Sequence, residues 1–223
     1  MKVRGFADRS EAGVLLAEAL ASYENQPGTM VLALPRGGVP VGYEIAKALR
    51  CPLDVLVVRK LGTPGQEELA MGAISSLGAR ELNQRELNQE VIDYLGIPPA
   101  EIEEVTRRET QELERREKAY RGSRPPLDVR GRVVLLVDDG LATGTTMRAA
   151  VSALRQQGPA RVVAAIPVGA AESCSQLRNV VDELVCLIET EDLVAISMWY
   201  GDFRQTTDEQ VRELLRKSEP ASV

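Results

Sequence analysis

Five short runs, at 30–34, 54–58, 133–137, 162–168 and 184–188, are built largely of Val, Leu, Ile, Ala and Met, with little polar alternation. A strand without alternation has both faces covered, which is the pattern of a parallel sheet. Helical patterns fall between the runs, at about 10–22, 39–49, 146–157 and 170–180. Gly158 and Pro159 end the third of these cleanly. Strands alternating with helices predict an α/β fold with a doubly wound, mostly parallel central sheet flanked by helices. The 223 residues suffice for one such domain carrying an insertion, so 1–223 is read as a single unit.

One stretch breaks this rhythm. From 80 to 121 the chain is charged and helix-forming, with no strand between, and Pro98 and Pro99 divide it into two helices. The second, about 99–120, carries apolar residues only at Ile102, Val105, Leu113 and Tyr120. That narrow stripe predicts an exposed helical excursion, with a lid or an interaction surface as the sharper alternative. Residues 122–126 return the chain to the sheet.

Composition removes whole classes of chemistry. The chain has no histidine, which excludes Ser-His and Cys-His nucleophile pairs and histidine-ligated zinc. The cysteines, Cys51, Cys174 and Cys186, form no CxxC, so no disulfide framework or metal site is expected and a reducing cytoplasm fits. The net charge of −6 gives no global basic footprint for nucleic acid but allows a local anion pocket. The start lacks the apolar core of a signal peptide, and no apolar run approaches the roughly 20 residues of a membrane helix. A cytoplasmic protein without membrane or nucleic-acid partners is expected.

The chemistry concentrates in Val133-Val134-Leu135-Leu136-Val137-Asp138-Asp139-Gly140-Leu141-Ala142-Thr143-Gly144-Thr145-Thr146. A buried strand delivers two carboxylates and a Gly/Thr turn to the carboxyl edge of the sheet, where α/β ligands bind. Gly140 and Gly144 let the backbone curl. The amides of 142–146 then open a helix N-terminus, whose dipole favours an anion, and the hydroxyls of Thr143, Thr145 and Thr146 add donors. Carboxylates beside a phosphate repel it unless something lies between them. A ribose fits that gap, because vicinal hydroxyls donate to Asp138 and Asp139; the spacing thus suggests a ribose 5-phosphate. A P-loop needs GxxxxGK[ST] and a dinucleotide fold GxGxxG, and this loop supplies neither.

The string resembles the phosphoribosyl-pyrophosphate (PRPP) motif of type I phosphoribosyltransferases. The resemblance implies that Gly140, Thr143, Gly144, Thr145 and Thr146, with the amides of Leu141 and Ala142, take the 5-phosphate. It implies that Asp138 and Asp139 take the ribose hydroxyls. A second match lies at Leu34-Pro35-Arg36-Gly37-Gly38-Val39. There Gly37-Gly38 frees the backbone to wrap an anion and Arg36 brings a fork of donors. This is similar to the family's pyrophosphate loop, which implies a non-proline cis peptide, expected at Arg36–Gly37. The next strand ends in Arg59-Lys60, followed by Leu61-Gly62-Thr63-Pro64-Gly65. The family places pyrophosphate-binding cations and then a mobile closing loop there.

The family also builds a small hood over the acceptor base, often from chain ends. Segments 1–10 and 190–223 are the candidates, with Phe6, Asp8 and Arg9 in one and Trp199, Tyr200, Asp202 and Phe203 in the other. Trp199, Tyr200 and Phe203 are expected to stack on a planar base. Together these features imply a fold with a helical insertion and a small hood. They also imply transfer of the phosphoribosyl group of PRPP to a small nitrogenous base, with Mg2+ bound mainly through PRPP. Asp138, Asp139 and Lys60 carry the catalytic work, and a homodimer is the common assembly. Two other classes remain open: a non-catalytic sensor of PRPP or nucleotides on the same fold, and a partner-binding protein using 80–121.

Overall fold

The computed structural model describes residues 5–77 and 86–218. The outer ends of both expected hood segments and the start of the 80–121 stretch lie outside the described residues.

The chain runs through α1 (Arg9–Ala19), β1 (Thr29–Ala33), α2 (Gly38–Leu49), β2 (Leu53–Val55), β3 (Val58–Thr63), β4 (Gln66–Ser75) and β5 (Glu86–Leu87). It continues through α3 (Gln89–Leu95), α4 (Pro99–Arg121), β6 (Val133–Val137), α5 (Thr145–Gln156), β7 (Arg161–Ala170), α6 (Ala171–Arg178), β8 (Glu183–Thr190) and α7 (Asp208–Lys217). Strands β2-β1-β6-β7-β8, in that order, form a five-stranded central sheet in which every pairing is parallel.

Both faces are covered, as the unbroken apolar runs predict. Leu135 and Val137 of β6 belong to one core with Val41 and Ile45 of α2. Val134 and Leu136 point the other way, into a second core with Met147, Val151 and Leu154 of α5. Burying each of these side chains stabilises the fold by about 1.5–3 kcal/mol.

The strand order also places the site. β1 connects through α2 to β2 on one side, and β6 connects through α5 to β7 on the other. β1 and β6 are neighbours, so the winding reverses between them. The loops that leave their carboxyl ends diverge and open a crevice, where ligands of such sheets bind.

Three expectations need correction. The run 54–58 is not one strand. Its first part joins the central sheet as β2, and from Val58 the chain leaves as β3. The segment from 61 to 65, expected as a mobile loop, belongs to an antiparallel hairpin: Thr63 faces Gln66 across Pro64-Gly65, and β5 joins as a third strand. The Pro-Gly pair was the signal, since Gly65 sits at φ +75°, which a two-residue turn of this kind favours.

The excursion at 80–121 is not exposed as a whole, nor free of strand. Ile102, Val105, Leu113 and Tyr120 are buried in the same core as β1 and α2, because the stripe of α4 lies on β3, β4 and α7. Arg121 fixes its end: Nε and Nη2 lie 3.0 and 3.1 Å from the two oxygens of Asp54 on β2.

Candidate functional site

The acid loop is shaped by hydrogen bonds to its neighbours. Directly after β6, the amide of Asp139 donates to Asp138 Oδ1 at 2.8 Å. The chain then touches β7: the Leu141 amide donates to Val168 O at 2.8 Å, and Leu141 O accepts from the Ala170 amide at 2.9 Å. The Leu141 amide is therefore committed to the sheet, which corrects its expected place among the phosphate donors.

Beyond Leu141 the loop curls over Gly144, at φ +71°, into the first turn of α5. No side chain caps that turn. The amides of Ala142, Thr143, Gly144, Thr145 and Thr146 carry no backbone hydrogen bond among the described residues. The loop carbonyls are held from outside instead. Ser173 Oγ donates to Ala142 O at 2.5 Å, and Arg148 Nη1 donates to Thr143 O at 2.9 Å. Holding the carbonyls leaves these amides without a backbone partner at a helix N-terminus, an arrangement that favours an anion. Thr143 Oγ1 and Thr145 Oγ1 stand 3.3 Å apart beside it. Ser173 and Arg148 were not legible in the sequence, since nothing local marks a side chain that grips a loop from another element.

The loop after β1 lies against the acids. Gly38 donates its amide to Leu34 O at 3.0 Å and Leu34 donates to Val137 O at 2.8 Å, so the turn rides on the end of β6. A methyl group built on Gly37 would overlap the Asp139 carboxylate, which only glycine avoids. The non-proline cis peptide is present one residue earlier than expected, at Pro35–Arg36. Arg36 Nη1 lies 3.5 Å from Asp208 Oδ1 at the start of α7, and Tyr120 of α4 donates its hydroxyl to the same oxygen at 2.9 Å.

The two cations of β3 face opposite ways, as successive strand residues do. Arg59 Nε donates to the buried Glu109 of α4 at 2.9 Å. Lys60 is half-buried.

The two chain-end segments meet at the acids. Phe6 donates its amide to Trp199 O at 2.7 Å, and Asp202 donates to Ala7 O at 2.8 Å. Tyr200 lies between Phe6 and Phe203, with ring centroids 5.4 and 4.9 Å away. It is buried, and its hydroxyl donates to Asp139 O at 2.6 Å. Trp199 and Phe203 are half-buried against the same small cluster. Arg9 of α1, noted in the sequence only as a hood residue, reaches Asp139: Nε and Nη2 are each 2.8 Å from Oδ2. Beside Arg9 opens a cavity of about 480 Å³, bordered by Asp8, Pro40, Arg204, Thr206 and Gln210.

The charge balance is unusual. Burial, and then the Asp139 charge, push the Asp138 carboxyl well above the usual carboxylate range. Burial, and then Asp139, also raise the Tyr200 phenol, which stays a hydrogen-bond donor. A second grouping of metal-ligand types, Cys174, Cys186 and Glu189, lies on α6 and β8. There Glu189 is ion-paired with Arg178, and burial pushes both thiols up, so the group is arranged as a packed thiol pair.

Fold and loop together define a class: a type I phosphoribosyltransferase-like α/β domain, with its anion loop at the switch point of the parallel sheet. The chain belongs to the phosphoribosyl transferase domain family, whose model matches residues 10–198. "Putative phosphoribosyl transferase MT0597" of Mycobacterium tuberculosis (strain CDC 1551) is 41% identical over 213 residues, which is 96% of this chain and 47% of that protein. The chain thus spans about half the length of the curated relatives it matches first. "Bifunctional protein PyrR" of Listeria monocytogenes (serotype 4a, strain HCC23) is 37% identical over 109 residues, 46% of this chain and 58% of that one. The crystal structure of TT1426 from Thermus thermophilus, 40% identical, superposes with a TM-score of 0.84 over 97% of this chain and all of that one. Among the described residues no helix is long and apolar enough to cross a membrane.

Proposed function

We propose that the chain transfers the phosphoribosyl group of PRPP to the nitrogen of a small base, releasing pyrophosphate. The observation that carries this reading is the meeting, at one switch point, of a cradle of unbonded amides, a carboxylate pair and the Arg36–Gly38 turn. The 5-phosphate sits on the amides of 142–146 and the hydroxyls of Thr143, Thr145 and Thr146. The ribose hydroxyls donate to Asp138 and Asp139. Pyrophosphate lies along Arg36, Gly37 and Gly38, with Lys60 opposite. Arg59 fixes β3 through Glu109, and it reaches pyrophosphate only by leaving that partner.

The C1–O bond to pyrophosphate breaks with its electron pair passing to the leaving oxygen. The acceptor nitrogen bonds to C1, and its proton passes to solvent. The transition state has oxocarbenium character, so the protein's task is to position the sugar, stabilise the leaving charge and exclude water. None of these needs histidine. Magnesium fits the donor set: Asp138 and Asp139 are consecutive carboxylates that offer hard oxygens at the carboxyl edge of the sheet. Held by Asp138, Asp139 and the ligand, the ion would supply charge neutralisation for the leaving pyrophosphate.

The cavity beside Arg9 and the half-buried Trp199 border the acceptor side, whereas Tyr200, packed between Phe6 and Phe203, and Phe203, covered by Arg9, hold the hood together. The cavity's volume lies in the range of small-ligand sites. Protein supplied with magnesium and PRPP, and separately with hypoxanthine, guanine, adenine, uracil and orotate, should release pyrophosphate faster with one base. Asp139→Asn should lower kcat/KM about 100-fold. PRPP binding without release on any base would favour the sensor reading instead.

A further inference from the structure

Resting on the ribose 5-phosphate reading of the loop, we infer that Arg9 is a positioning residue. It aims Asp139 at the sugar, and through it the two chain-end segments set the site's selectivity for the ribose hydroxyls.

The guanidinium of Arg9 is fixed on every side. Nε and Nη2 both donate to Asp139 Oδ2 at 2.8 Å. Nη1 donates to Arg204 O at 2.9 Å. The plane lies over the Phe203 ring, with Cζ 3.8 Å from its centroid. The side chain is only 10% exposed. Only a planar fork can satisfy this set; a lysine supplies the charge but neither the two-point grip nor the stack.

Arg9 takes one oxygen of Asp139, and the Asp139 amide takes one oxygen of Asp138. Asp139 Oδ1 and Asp138 Oδ2 stand outside these bonds. Two acceptors, one on each of two consecutive residues, are what a vicinal diol requires. Tyr200 holds the Asp139 main chain while Arg9 holds its side chain, so both the rotamer and the placement of this acid are set by residues of the chain ends. Arg9 also brings a positive charge to the carboxylate pair. Contact with the sugar is left to the acids.

The test reads selectivity. Ribose 5-phosphate, 2-deoxyribose 5-phosphate, 3-deoxyribose 5-phosphate and inorganic phosphate are titrated calorimetrically into wild type, Asp139→Asn, Arg9→Met and Arg9→Lys. Wild type should prefer ribose 5-phosphate about tenfold or more over the deoxy sugar lacking the hydroxyl that Asp139 accepts. Asp139→Asn identifies that sugar, as the one whose penalty disappears. In Arg9→Met the same penalty should fall to about twofold or less, with phosphate affinity unchanged, and Arg9→Lys should recover only part of it. A merely structural role for Arg9 would weaken all ligands alike. Wild-type selectivity in Arg9→Met overturns the inference. If that variant does not fold, wild-type selectivity in Arg9→Lys does so. Failure of wild type to bind ribose 5-phosphate, or to distinguish it from either deoxy sugar, instead removes the reading of the loop on which the inference rests.

Discussion

Asp138 stands half-buried at the end of β6 with a second carboxylate on the next residue, and burial and that neighbour raise its carboxyl well above the usual range. An acid whose folded value is raised holds its proton more tightly in the folded chain than in the unfolded one. The folded state therefore binds more protons, and stability falls as pH rises from about 4, the unfolded value, to the raised value. Asp138→Asn keeps the acceptor for the Asp139 amide and removes the charge. Thermal melts should show the stability of the variant relative to wild type rising as pH rises from about 4, while binding of ribose 5-phosphate weakens. A difference from wild type that does not change with pH would contradict the raised carboxyl of Asp138. Gly37 gives a second case. Gly37→Ala drives a methyl group into the Asp139 carboxylate, and overpacking of this kind costs about 1–3 kcal/mol. Denaturant unfolding should show that loss, with PRPP affinity reduced beyond it because the carboxylate must move.

Among the elements, α4 departs furthest from its sequence expectation. Its stripe of four apolar residues reads as solvated because the rest of the helix is charged, yet Leu113 is fully buried and Glu109 and Arg121 are buried with it. Their ion partners, Arg59 on β3 and Asp54 on β2, lie 50 and 67 residues away, and no local pattern announces such pairs. Leu113→Ala should cost about 2–5 kcal/mol in equilibrium unfolding, the loss of a core leucine; a cost under 1 kcal/mol would restore the exposed excursion. Four strands of the central sheet were legible for the opposite reason, since unbroken apolar runs have few other ways to be buried; the fifth, β2, was legible only in part, because the run 54–58 is shared with the start of β3. The acid loop was legible because its chemistry lies in consecutive residues. The grips of Arg9, Ser173 and Arg148 on that loop were not, because each comes from another part of the chain.

Over the whole molecule, the fold gathers its two ends onto the crevice opened by the reversal between β1 and β6. Residues 6–7 pair with 199–202, and Tyr200 and Arg9 carry that union down to Asp139. A ligand that orders Asp139 should therefore order the chain ends as well. Hydrogen exchange should show the amides of Gly201 and Asp202, which donate to Phe6 O and Ala7 O, slowed by ribose 5-phosphate. Protection confined to 138–146 would mean that the end segments do not sense the sugar. Tyr200→Phe removes one hydrogen bond to Asp139 O, costs about 0.5–1.5 kcal/mol of stability and should reduce that protection.

The central claim is that the strand, acid pair and amide cradle form a PRPP site. Calorimetric titration of the protein with PRPP, with and without magnesium, tests it most directly. Magnesium-dependent binding that weakens about ten- to a hundredfold in Asp139→Asn is the predicted result. Absence of binding at millimolar PRPP, or binding indifferent to both magnesium and Asp139, would contradict it.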